Sequence, residues 1–149
     1  MTLRGRFLAL SPTQRRVVHG ILVQQALARW KAYVAGEGQI RYRESVTGTE
    51  QVVDAALPAE ALAAARSGQD VAAVAARYGE PITALQDDDL SFPDPIEFAF
   101  YAIYNFFQKY GLEKDVDDWL IVNQAASSDP DESRWEGALQ AAIEAATNA

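Results

Sequence analysis

The chain has 149 residues, an apolar fraction of 49%, a charged fraction of 23% and a formal charge of −8. This length fits one domain, 1–149, with enough buried surface to fold without a covalent staple, and the composition is that of an ordinary globular chain rather than a disordered one. Cysteine is absent, which excludes disulfides, thiolate chemistry and cysteine-based zinc sites.

The first ten residues, MTLRGRFLAL, carry two arginines and only a short apolar run, unlike a signal-peptide core. No apolar run approaches the roughly 18 residues of a membrane span, so a soluble, cytoplasmic chain is expected. Ser11-Pro12-Thr13-Gln14 then opens a long helix. Serine suits the N-cap, proline the first turn, and Gln14 completes a capping box. Val23, Ala26, Leu27, Trp30 and Val34 recur at helical spacing, and Gly36 and Gly38 end the element. QIRYRESV and EQVVD, separated by TGT, read as a short β-hairpin.

PAEALAAARSG and DVAAVAARYGEP read as two short alanine-rich helices, with Gly68 and Gly79 at their ends and Pro81 after the second. ITALQ adds another helical turn or two, and DDDLSFP is a loop. Asp94-Pro95-Ile96-Glu97 repeats the grammar of the first helix start: acidic N-cap, proline, carboxylate at N3. This helix runs to about Tyr110 and Gly111 closes it. Eight of the fifteen aromatic residues fall between Phe92 and Tyr110, which makes it the expected centre of the core. Two further helices open at Asp115–Asp118 and at Asp129-Pro130-Asp131-Glu132. The last carries the stripe Trp135, Leu139, Ala142, Ile143, Ala146. The sum is a mainly α, single-domain helical bundle of about five to six helices, with a small β-hairpin inserted after the first long helix.

Charge divides the chain more sharply than its net value suggests. Residues 1–43 carry a net +7 and the remainder −15, so a basic N-terminal helix and hairpin (1–54) precede an acidic helical part (55–149). Such a split neutralises itself within one fold, draws two copies into a homodimer, or offers a field to a charged partner.

The stretch from Asp70 to Asp89 resembles a helix-turn-helix segment: Ala75, Gly79 and Leu85 fall at its spacing. That resemblance implies DNA regulation. Its chemistry argues the other way. The second helix offers Thr83 and Gln86 but no Lys or Arg, and Asp87, Asp88 and Asp89 would meet a polyanion. Nucleic acid is therefore not the expected partner.

Among the carboxylates, Asp94, Glu97, Asp115, Asp118, Asp129 and Glu132 sit where helix starts favour negative charge. The run 87–89 lacks the alternation of a calcium loop, no helix carries Glu-X-X-His, and His19, the only histidine, reads as a surface or half-buried structural residue. No metal, cofactor or catalytic residue is assigned. No nucleotide-binding loop motif occurs. The aromatic helix could instead line a ligand pocket with Tyr101, Tyr104 and Asn105, which with a nearby carboxylate would suit a small-ligand binder or an enzyme. Asn123 and Gln124 are similar polar candidates.

The leading expectation is a non-catalytic protein-binding domain. Asp87, Asp88, Asp89, Asp117, Asp118, Asp131 and Glu132 are its candidate contacts, an acidic surface for a basic protein partner. In size and charge the chain is similar to the immunity proteins that neutralise secreted bacterial toxins, and that resemblance implies such a partner.

Overall fold

The computed structural model of the chain describes residues 1–148. Among them are seven helices and one hairpin: α1 Leu3–Leu8, α2 Pro12–Glu37, β1 Arg41–Arg43, β2 Glu50–Val52, α3 Leu57–Ser67, α4 Val71–Gln86, α5 Asp94–Tyr110, α6 Asp118–Ser127 and α7 Glu132–Asn148. The mainly α architecture with a hairpin after the first long helix is as expected from the sequence. The short α1 is an addition. Thr2 caps it by accepting from the Gly5 amide at 3.0 Å, and Phe7, fully buried, anchors it to the core.

α2 is the spine. Its capping box forms as the sequence predicts, with Ser11 Oγ accepting from the Gln14 amide and Gln14 Oε1 from the Ser11 amide. It ends at Gly38, whose φ of +70° lies where a side chain would be strained. α5, α6 and α7 pack on α2, α3 packs on α5, and α4 packs on α3. Rings fix the direction of α5. Trp30 and Tyr33, late in α2, meet Phe92 at ring-centroid distances of 5.2 and 6.1 Å. His19, early in α2, meets Tyr110. The two helices are therefore antiparallel.

As its sequence suggested, α5 is buried on most sides: Ala99, Phe100, Ala102, Ile103, Phe106 and Phe107 are each 2% exposed or less. Burying a side chain of the Phe or Ile size contributes about 1.5–3 kcal/mol, which makes this helix the main stabilising element. The antiparallel hairpin pairs Tyr42 with Gln51 at its centre. It is tied down by the Trp30 indole N–H, which donates to the Ala55 carbonyl at 2.9 Å.

Five local expectations are corrected. The turn expected at Gly79 does not form: α4 runs unbroken through Gly79 and Pro81. Proline removes one amide from the helix ladder and disfavours helical backbone before it, a penalty of about 3 kcal/mol. Burial of Val74, Tyr78, Ala84 and Leu85 along one stripe opposes that penalty, and the Thr83 hydroxyl adds a bond to the Gly79 carbonyl at 2.9 Å. Three helix starts also shift. α5 begins at Asp94, so Asp94 lies in the first turn and not at the cap. α6 is capped by Asp117, which accepts from the Trp119 amide, and not by Asp115. At α7 the cap is Asp131, which accepts from the Arg134 amide. Asp129 is drawn inwards instead. Finally, His19 is wholly buried. No described helix is long and apolar enough to cross a membrane.

Candidate functional site

The predicted acidic residues fall in three groups along the chain. Asp117 and Asp118 lie at the start of α6, whereas Asp131 and Glu132 follow its end. A ten-residue helix separates the two groups, a span of about 15 Å. Asp87, Asp88 and Asp89 lie at the end of α4, which packs on α3.

Two of the acids are consumed internally. Asp118 lies 3.0 Å from Arg15 and 2.7 Å from Lys109. Burial would push its carboxyl up, but hydrogen bonds from Lys109 and Arg15 hold it below the usual range. Its backbone carbonyl accepts from His19 Nε2 at 2.8 Å. A carbonyl can only accept, which assigns the histidine proton to Nε2. Nδ1 therefore accepts from the Tyr110 hydroxyl at 2.7 Å. Burial depresses the His19 pKa to about 4, so the ring is neutral near pH 7. This network locks α2, α5 and α6 together.

Asp129, which the sequence reading assigned to a helix start, makes the second network. Its side chain is fully buried, 3.0 Å from Arg29 and 2.6 Å from Arg134. It also accepts from the Asp131 amide. The Arg134 hydrogen bond chiefly holds its pKa at about 2. The basic N-terminal part thus neutralises the acidic part at Arg15–Asp118 and Arg29–Asp129.

One group of acids escapes that neutralisation. Between Arg77 and Lys109 the chain has no Lys or Arg, but it has Glu80, Asp87, Asp88, Asp89, Asp94 and Glu97. None of these six makes an ion pair among the described residues. The turn that gathers them is a Schellman closure of α4. The Asp89 amide donates to the Ala84 carbonyl at 2.9 Å and the Asp88 amide to the Leu85 carbonyl at 3.4 Å. Its left-handed position, usually glycine, is Asp88, with φ of +60°. Leu90 and Phe92, both buried, then pin the chain as it enters α5. Asp89 Oδ2 accepts from the Ser45 amide and hydroxyl at 3.1 and 3.0 Å, which ties the turn to the hairpin loop.

The carboxylates feel each other here. Burial raises the Glu97 pKa, and the negative charges of Asp94 and Asp88 raise it further. Burial and Asp89 raise Glu80 likewise, and Glu80 Oε2 is buried without a hydrogen-bond partner among the described residues. The sequence reading named 87–89 but missed Glu80, Asp94 and Glu97 as members. The available signal was the lack of any base from 78 to 108.

The aromatic candidates are engaged in packing. Tyr104 lies against Tyr78 at a ring-centroid distance of 4.6 Å, and Tyr101 meets Phe100 edge-on. Asn105 donates to Gln124 Oε1 at 2.7 Å and accepts from Gln108 Nε2 at 2.9 Å. Its amide is thus satisfied within the bundle. Among the described residues no three of His, Asp and Glu are grouped to hold a metal ion. The chain matches no family model, no curated protein and no solved structure.

Proposed function

We propose that this chain is a non-catalytic binding domain that engages a basic protein surface through the acidic end formed by Glu80, Asp87, Asp88, Asp94 and Glu97. One observation carries this reading: among the described residues these carboxylates have no cation of their own, while Asp118 and Asp129 have two each. Like charges held together raise the energy of the unbound surface; burial is the first cause of the raised Glu80 and Glu97 pKa values, and the neighbouring carboxylates add to it. A partner that supplies Lys or Arg relieves that repulsion, and the shared field speeds encounter. The reading resembles the way immunity-type proteins cover a basic toxin, and the partner sought is of that chemistry. Asp117, Asp131 and Glu132 fall outside the proposed contact, since two of them are helix caps or first-turn acids at α7 and the third caps α6.

The test is affinity capture from the source organism with the native chain, with Asp87→Lys/Asp88→Lys, and with Asp117→Lys/Glu132→Lys as the control pair. A stoichiometric basic protein, released by rising salt, should be retained by the native chain and by the control pair and lost from the first variant. Equal loss from both variants, or retention by both, removes the acidic end from the interface.

A further inference from the structure

A second surface, independent of the acidic end, has the opposite electrostatic character. α2 and α3 both pack on α5 and leave a trough of about 530 Å³ between them. Phe106 lines it from α5, with Val17 and Ile21 from α2. Its polar rim holds Arg16 from α2 and Arg66 from α3, and no carboxylate lines it. Neither arginine makes an ion pair among the described residues. Arg16 is parked over the Tyr110 ring at 4.8 Å. Arg66 crosses from α3 to α2, where it donates to Gln24 Oε1 at 3.0 Å and to the Gly20 carbonyl at 3.4 Å.

Gly20 matters here. It lies one helical turn after Arg16, so both face the trough, and a Cβ at this position would stand 3.8 Å from the Arg66 guanidinium. Its missing side chain leaves the space between the two arginines open.

We propose that this trough binds a small amphipathic anion, a carboxylate-headed apolar molecule whose head lies between Arg16 and Arg66 and whose body lies on Val17, Ile21 and Phe106. The volume lies within the roughly 300–1,000 Å³ of small-molecule sites. Guanidinium groups with free N–H donors match a carboxylate in charge and shape. The apolar floor favours a hydrocarbon body, so charge and hydrophobicity together select the class. The Arg66 bridge favours a compact ligand over a partner helix, because a helix laid along the trough would have to displace it.

The experiment is a titration of the full chain with sodium decanoate below its micelle concentration, followed by amide NMR and calorimetry, with decanol as the neutral analogue. Saturable binding at one site is expected, with shift changes centred on Val17, Gly20, Ile21 and Phe106. Arg16→Gln/Arg66→Gln should weaken it about tenfold or more, as loss of a charge-assisted bond does. Gly20→Leu, which fills the trough and leaves both charges in place, should abolish it, and circular dichroism confirms that each variant is folded. Equal affinity for decanol, shifts confined to other surfaces, unchanged binding by folded Gly20→Leu, or no saturation would each overturn the proposal. Binding of an acidic amphipathic peptide with no binding of decanoate would also overturn it and assign the trough to a protein partner.

Discussion

Acidification should loosen the bundle through His19 before any carboxylate pair is broken. The ring is buried among Phe7 of α1, Tyr110 of α5 and the Asp118 carbonyl of α6, with Arg15 and Lys109 nearby. Its pKa is about 4 when folded, against 6.5 as the reference value. Because the folded value is the lower one, the unfolded chain takes up the proton first as pH falls. Stability is thus full above the unfolded value and is lost as pH falls towards 4. Linkage between these two values gives a loss of about 2 kcal/mol between pH 7.5 and pH 5, and about 2.5 kcal/mol by pH 4.5. Glu80 and Glu97 act in the opposite sense, since their folded pKa values are raised and protonation relieves them. A Glu80→Gln/Glu97→Gln background therefore isolates the histidine. The assay is urea unfolding from pH 7.5 to 4.5 in that background, with and without His19→Gln. As the chain has one histidine, the imidazole NMR signal reports its titration directly. A folded-state imidazole that titrates above pH 6, or a pH slope that survives His19→Gln, would refute the reasoning.

Three further outcomes follow from the geometry. Asp88 holds a left-handed conformation within a like-charged group, so Asp88→Gly should raise stability by about 1 kcal/mol while weakening capture of a basic partner. A loss of stability in denaturant melts would show that the Asp88 side chain has a structural role. Asp129 joins Arg29, Arg134 and the Asp131 amide, so Asp129→Ala should cost about 2–3 kcal/mol. A cost under about 0.5 kcal/mol, typical of surface changes, would contradict its burial. Tyr78 is buried, and its hydroxyl has no partner among the described residues. Tyr78→Phe should therefore be neutral or stabilising by about 1 kcal/mol, and a clear drop in the melting temperature would reveal a partner for that hydroxyl.

The sequence by itself determined the elements whose signals are local. The Ser11 capping box, the stop at Gly38, the hairpin between Ile40 and Val53 and the buried character of α5 all follow from neighbouring residues. Local grammar misplaced Gly79 and Pro81, because the α4 stripe from Val74 to Leu85 is secured by packing across the chain, which outweighs a proline penalty of about 3 kcal/mol. It also placed Asp118 and Asp129 with Asp94 among the acids explained by helix starts. Asp117 and Asp131 are caps as such residues tend to be, but Asp129 and Asp118 found arginines about a hundred positions away. Asp129 and Asp94 open the same Asp-Pro-X-Glu pattern, and they differ in Arg134, five positions after Asp129, and in Arg29, which the fold brings in. Tertiary structure alone decided which carboxylates are neutralised and which are left facing outwards, because ion pairing depends on distance in space and falls off over a few ångströms. The run from 78 to 108 is the exception that was legible: with no base in it, its six acids had no local means of neutralisation. The fold then left them unpaired, and it brought Arg16 and Arg66, fifty residues apart in the chain, to the rim of one trough.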